Sequence, residues 1–374
     1  MEERSRLSFV NVPLLVIVIG LVTYGTVIVQ SATSGMPGGA GLFKRHLLGV
    51  AIGVVAMLVA WAVDYRKFKS WLPALVALDV LLVISPRIPG LGDTAKGATS
   101  WLQIAGVRLF QPSEPAKLVT IIVMAIVISR FDGVIERPRD VAKILAFLGV
   151  PLVLILLQPD LGTGLVFVAI TMGMLLIGGL KARWFLVFGL VGVLAVGIVL
   201  QGHLLEKYQE DRLLVFVDPA RDPQGAGYNL EQSKIAIGSG ELTGKGLRSG
   251  TQGNLNFLPE RHTDFVFSVL GEELGFLGAV LLLGLYLALL ITALEISASS
   301  KDLLGSLIAA GLISMWAFQI LENIGMTIGL MPITGIPLPF VSFGSSFMVT
   351  NLAGTGMLLS VWARRRAPQS QLSA

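Results

Sequence analysis

Seven consecutive residues, Pro259-Glu260-Arg261-His262-Thr263-Asp264-Phe265, place two carboxylates, a guanidinium and an imidazole directly before a long apolar run. A carboxylate beside a low-dielectric surface can have its pKa raised toward the value a general base needs. Asp264 is therefore a candidate base, with Arg261 and His262 as candidate binding groups. The same text admits a plainer reading, because Thr or Asp just before an apolar run is an ordinary helix N-cap. Both readings stand at this level, although one cap does not need four polar neighbours.

Other segments need an explanation too. Glu114 and Lys117, in Gln111-Pro112-Ser113-Glu114-Pro115-Ala116-Lys117, are three residues apart. On a helix they share a face and can pair. They serve as a structural ion pair, or Lys117 serves as a point charge for a phosphate. Gln158-Pro159-Asp160-Leu161-Gly162-Thr163-Gly164 reads as a tight turn with Asp160 capping the next helix. Asn323 to Ser346 contains three prolines, Pro332, Pro337 and Pro339, and no charge. It cannot be one regular helix. Irregular backbone at membrane depth is tolerated only where protein or water satisfies it, so a re-entrant loop lining a cavity is expected. Glu272 and Glu273 lie within the apolar run that follows Asp264. Glu272 reads as sharing a polar face with Asp264, and the alternative for both is burial as neutral, hydrogen-bonded acids. His46, His203 and His262 form no metal-ligand spacing. There is no cysteine, which excludes a thiol nucleophile, a disulfide and a zinc–thiolate site.

The elements that must position these residues are membrane helices. Of 374 residues, 54% are apolar and only 14% charged, with a mean hydropathy of +0.78. That composition excludes a soluble enzyme, a disordered chain and a nucleic-acid-binding domain. Ten spans are predicted, near 10–30, 46–63, 73–85, 115–131, 141–157, 163–179, 183–200, 265–294, 303–330 and 346–363. The first, Val10–Gln30, reads as a retained span rather than a signal peptide. With the N-terminus inside, fifteen Lys and Arg fall in inner segments: Arg4, Arg6, Arg66, Lys67, Lys69, Arg130, Arg137, Arg139, Lys143, Lys181, Arg183, Lys301 and Arg364–Arg366. Five fall in short outer segments: Lys44, Arg45, Arg87, Lys96 and Arg108. The bias puts both termini in the cytoplasm. The long connection of about 201–264, between spans 7 and 8, then lies outside, with partial helix expected near Asn229–Ile237. The fold class is an all-α polytopic membrane protein, and 1–374 reads as a single transmembrane domain.

Taken together, these segments resemble the SEDS family (shape, elongation, division and sporulation), and within it the RodA-like branch. The resemblance rests on Gln232-Ser233-Lys234-Ile235-Ala236-Ile237-Gly238-Ser239-Gly240, Gly244-Lys245-Gly246, Gly250-Thr251-Gln252, Leu258 through Phe265, Glu272-Glu273-Leu274-Gly275, and the Gln-Pro-Ser-Glu, Gln-Pro-Asp-Leu-Gly-Thr and Gly-Ile-Pro-Leu-Pro-Phe-Val-Ser segments. They keep family order and cover essentially the whole chain. The sequence departs from the family at His46, Ser239-Gly240-Glu241, Phe343 and Ser345.

The resemblance implies a peptidoglycan glycosyltransferase that polymerises lipid II at the outer face of the bacterial cytoplasmic membrane during elongation. Its partners would be a class B penicillin-binding protein and the elongation machinery, with membrane lipids around it and no nucleic acid. The essential aspartate falls on Asp264, the glutamate–lysine pair on Glu114 and Lys117, the basic residue after the first span on Arg45, and the turn aspartate on Asp160. Arg261, His262 and Ser342 join them as expected substrate-binding residues. Positive charge for the leaving pyrophosphate would come from Arg45, Lys117 and Arg261 or from a divalent ion, Mg or Mn. No organic cofactor is expected. The alternative is a lipid II flippase, in which Glu272, Glu322 and Asn323 form a polar path. A scaffold that only recruits the penicillin-binding protein leaves the cluster around Asp264 unexplained.

Overall fold

The computed structural model describes residues 10–95, 98–104, 107–201, 215–216, 218, 222–223, 225–254 and 257–365. Arg4, Arg6, Lys96, His203 and Arg366 lie outside the described residues, as does most of the first part of the long loop.

Local signals start the helices where the sequence places them. The Asn11 carboxamide accepts from Leu14 N–H at 2.9 Å and starts α1 (Val12–Ser34). It is followed by α2 (Gly39–Ala62) and α3 (Leu72–Ile84). At 13 residues α3 is too short to cross a bilayer, but flanking 3-10 turns extend it to a 23-residue apolar unit, Tyr65–Arg87. Next come α4 (Ser113–Ser129), α5 (Pro138–Leu156), α6 (Leu161–Ile177) and α7 (Ala182–Gln201). The long loop holds α8 (Ala226–Ser239) and the single turn α9 (Thr251–Asn254). The chain ends in α10 (Val266–Ala298), α11 (Leu303–Ile328) and α12 (Ser345–Arg364). Asp302 caps α11 by accepting from Gly305 N–H at 2.8 Å. α10 bends at Gly275, whose φ is 65°.

All ten expected spans have a helical counterpart, so this is a multi-pass membrane protein. Outward residues such as Ile19, Leu48, Leu81, Leu186 and Leu277 are exposed. In water they would form large apolar patches, whereas here they face lipid. Below its first turn α4 is apolar on every side apart from Lys117, Thr120 and Ser129, and it is buried except at Pro115 and Ser129. A helix of that kind belongs at the centre of a bundle, and α3, α5, α6, α11 and α12 surround it. α2 packs along α12, α1 along α10, and α8 lies across α10 and α11. The Ser233 hydroxyl pins α8 there, 2.6 Å from Ser268 Oγ and donating to Thr327 O at 2.7 Å.

One element was not anticipated. The connection from α3 to α4 carries a three-stranded antiparallel sheet in the order β1 (Gly92–Ala95), β2 (Ala98–Ile104), β3 (Val107–Phe110). Each consecutive pair of strands is separated in sequence by two residues ending in glycine. Those were usable hairpin signals.

The bundle end opposite the long loop is closed by paired charges. Arg66 Nε meets Asp302 Oδ2 at 3.1 Å, Tyr65 donates to the same oxygen at 3.0 Å, and Arg364 meets Asp64 at 3.4 Å. Arg66 also donates to the Arg364 carbonyl at 3.1 Å, which ties the last turn of α12 to the start of α3.

Candidate active site

The site forms where two irregular segments meet at the loop end of the bundle. The first is 259–265, leading into α10. The N–H groups of Thr263, Asp264 and Phe265 all donate to the Glu260 carbonyl, at 3.1, 3.1 and 3.2 Å. This tight turn forces Glu260 to a φ of 54°. The residue flanking α10 is Phe265, so Asp264 is not its cap residue. The N-cap reading therefore gives way: the chain turns once more before the helix begins.

The second segment is the prolyl stretch between α11 and α12, non-helical from 330 to 344 as expected. Phe340 there has a φ of 64°. Each of the two meeting segments thus carries a non-glycine residue in the left-handed region, strain that persists only where surroundings impose it.

Three sets of contacts join the segments. Ser342 is buried. Its hydroxyl donates to Thr263 O at 2.7 Å and accepts from Leu338 N–H at 2.8 Å. Phe343 N–H donates to the His262 carbonyl at 2.8 Å. Asn323, fully buried on α11, donates from Nδ2 to Asp264 O at 2.9 Å and to Ile336 O at 2.8 Å. Asp264 is thus gripped by its backbone on both sides, and its carboxylate is half-buried. Oδ2 lies against Gly335, 3.4 Å from where a Cβ there would sit. The Gly335 φ of +75° disfavours any such side chain.

The neighbouring groups separate into buried and exposed. Arg261 is buried, and its Nε donates to Ala32 O at 2.8 Å. Burial lowers its pKa below the usual guanidinium value, and the charge of Glu273 acts the other way. Lys117 and Glu114 are both buried and meet at 2.9 Å, with the ammonium 5.4 Å from the centre of the Phe347 ring. The pair stands against the first turn of α12, where Ser346 Oγ also accepts from Gln111 N–H at 3.1 Å. Arg45 is exposed on α2, and its carbonyl accepts from Ser345 Oγ at 3.2 Å. The Phe343 ring lies between two imidazoles, 6.2 Å from His46 and 5.2 Å from His262. Asp160 caps α6, accepting from Thr163 N–H at 3.0 Å and from its hydroxyl at 2.9 Å. Gly162, two residues on, approaches Thr334 O, so this turn abuts the prolyl segment.

The structure thus brings Asp264, Arg261, His262 and Ser342 together, with Arg45 joined to them through α12. Glu114 and Lys117 support the start of α12. Sequence reasoning placed Glu322 and Asn323 only on a transport path and gave no role to Thr334 or Gly335. The signal available was their position at the start and middle of the prolyl segment.

Glu272 departs from both expectations for it, whereas Glu273 is buried and hydrogen-bonded as expected. Neither shares a face with Asp264, and Glu272 is not a neutral acid: it pairs with Lys245 at 2.8 Å. Its Oε1 also accepts from Thr251 N–H, Thr251 Oγ1 and Gln252 N–H at 2.7, 2.9 and 3.1 Å. Glu273 accepts from Ser31 Oγ at 2.7 Å. The loop dips into the bundle and meets them, something linear spacing does not reveal.

Among the described residues no three His, Asp or Glu side chains cluster as a metal site. A cavity of about 200 Å³ between α3, α4 and α5 is lined by apolar residues and by Asp79, whose Oδ2 accepts from Thr120 at 2.8 Å. It is not lined by any residue of the site around Asp264.

A family model described as FtsW/RodA/SpoVE, cell cycle protein, matches residues 6–367. The chain belongs to this family. It is 38% identical over 358 residues to peptidoglycan glycosyltransferase MrdB of Escherichia coli K12, covering 94% of this chain and 93% of that one. It is 37% identical over 355 residues to stage V sporulation protein E of Bacillus subtilis, covering 93% and 95%. Its fold matches a chain from a structure described as "structural coordination of polymerization and crosslinking by a peptidoglycan synthase complex", with a TM-score of 0.79, 29% identity and 96% and 99% coverage. It also matches the rod shape determining protein RodA of Thermus thermophilus, with a TM-score of 0.71, 28% identity and 96% and 98% coverage.

Proposed function

We propose that this chain is a peptidoglycan glycosyltransferase of the elongation type, polymerising lipid II with Asp264 as general base. The observation that carries the reading is the anchoring of Asp264: its backbone is bonded to Glu260 and Asn323 and its carboxylate is half-buried against Gly335. A base must be held in place to act, and a side chain fixed through its main chain is held in that way.

The excess of Lys and Arg in the segments on the N-terminal side supports cytoplasmic termini. The loop end, with Asp264, then faces outward from a bacterial cytoplasmic membrane, where a lipid-linked disaccharide presents its sugars. Asp264 takes the proton from the 4-hydroxyl of the acceptor's N-acetylglucosamine. That oxygen bonds to C1 of the donor's N-acetylmuramic acid as the C1–O bond to pyrophosphate breaks, and undecaprenyl pyrophosphate leaves with inversion at C1. One carboxylate suffices, since no water is activated and no covalent intermediate forms. The departing pyrophosphate needs positive charge. Of Arg45, Lys117 and Arg261, Arg45 alone is exposed, so it is the side chain offered for direct contact. Lys117 and Arg261 order the walls. A divalent ion, Mg or Mn, would arrive held mainly by the pyrophosphate oxygens. A class B penicillin-binding protein is the proposed partner, supplying the crosslinking that follows polymerisation.

A flippase needs polar groups along the full membrane depth. Glu272, Glu322 and Asn323 instead bond the loops at one end. The test is to incubate the purified chain and its class B partner with labelled lipid II, with and without a divalent ion. Glycan polymer is the expected result. No polymer, with lipid II carried across proteoliposomes, would replace this reading with transport.

A further inference from the structure

Glu322 is a carboxyl group 1% exposed, six residues before the end of a membrane helix. Among the described residues it has no ion-pair partner. An ionisable group in such a place is costly, and a purely structural position would be better filled by an apolar side chain. What it does have is Thr334, whose hydroxyl donates to Glu322 Oε1 at 2.7 Å. Thr334 directly precedes Gly335, the residue against Asp264 Oδ2. The next residue of α11, Asn323, holds Ile336 O and Asp264 O with a single amide. Two consecutive residues of one rigid helix therefore grip both flanks of Gly335 as well as the backbone of Asp264. The other side of the strip is closed by α6, where Gly162 approaches Thr334 O and Ile336.

We infer that Glu322 is a positioning residue for the glycosyl transfer, acting through Thr334 to fix the 334–336 strip against the Asp264 carboxylate. It does not touch the reacting sugars. Its role is that of a hydrogen-bond acceptor on a rigid helix, setting where the strip, and with it the wall beside Asp264, stands. Hydroxyl and carboxyl are both needed, whereas a net charge on Glu322 is not. This rests on the assignment of Asp264 as base.

The test compares Glu322→Leu, Thr334→Val, the double variant, Glu322→Gln and Asp264→Asn in the full-length chain with its class B partner. The readouts are kcat and KM for polymerisation of labelled lipid II, with thermal stability in detergent in parallel. Glu322→Leu and Thr334→Val are each expected to lower kcat about 10- to 100-fold, the cost of a small misplacement, with KM within about twofold. The double variant should be no slower than the slower single variant, because both remove the same hydrogen bond. Glu322→Gln keeps the acceptor and should keep kcat within about threefold. If Glu322→Leu does not fold, Thr334→Val carries the test. Native kcat in Thr334→Val would overturn the inference, as would additive losses in the double variant or a Glu322→Gln as slow as Glu322→Leu. An active Asp264→Asn would instead remove the base assignment on which the inference rests, so the two failures are distinguishable.

Discussion

Glu272 and Asp264 sit at the same end of the bundle, near the start of the same helix, and are held in opposite ways. The Glu272 side chain is saturated: one oxygen collects donors from Lys245, Thr251 and Gln252, and the residue is 1% exposed. It acts as a staple that fastens the 245–252 loop to α10. Asp264 is fastened through its main chain, by Glu260 and Asn323, and its side chain is half-buried. Removing the first carboxylate removes an anchor. Removing the second leaves the main-chain bonds to Glu260 and Asn323 in place. A carboxylate's burial alone therefore does not reveal its role. The bonds that tie Glu272 to the loop run through its side chain, and those that seat Asp264 between the two segments run through its main chain.

The largest expected effect tests that contrast directly. Asp264→Asn should lower strand formation by about 10²–10⁴-fold, the usual contribution of a general base, with thermal stability unchanged. Glu272→Leu should do the reverse in character. It leaves two backbone donors and an ammonium without their acceptor, and should cost about 2–3 kcal/mol. That is on the low side for a broken buried pair, because Lys245 is 29% exposed and can still reach water. A fall in thermal midpoint, with specific activity lost only in proportion to unfolded protein, would match the staple role.

Ser342 sharpens the comparison inside the site. Its hydroxyl is fully engaged between Leu338 N–H and Thr263 O, so Ser342→Ala should cost about 1–3 kcal/mol and lower kcat while leaving the KM for lipid II unchanged. A raised KM with native stability would return it to substrate binding. The smallest effect is expected at Asp160, a plain helix cap. Asp160→Ala should cost about 1 kcal/mol in stability with no change in kcat. A large loss of activity there would mean that the cap residue meets substrate.

Much of this was legible in the sequence. Runs of apolar residues located the spans, because length and hydropathy report directly on bilayer crossing. The i, i+3 spacing of Glu114 and Lys117 anticipated their ion pair, since that contact is local to one helix turn. The Asp160 cap was readable for the same reason. The prolines between 332 and 339 announced irregular backbone, because proline cannot continue a helix. Contacts between distant segments were not legible. Nothing local says that the loop near Lys245 descends to Glu272, or that Asn323 reaches back to Asp264 across 59 positions. The cap reading of Asp264 failed on one extra turn, set by the positive φ of Glu260. The sheet at 92–110 is weakly marked in the sequence, because its strands are four to seven residues long and its glycines also suit a loop.

The most direct test of the account is polymer formation from labelled lipid II by the Asp264→Asn chain in complex with its class B partner, with its thermal midpoint measured on the same sample. With Asp264 as the base, no polymer is expected from a protein that melts like the native one. Native-level polymer from that variant would contradict this and leave Asp264 without a role in proton transfer.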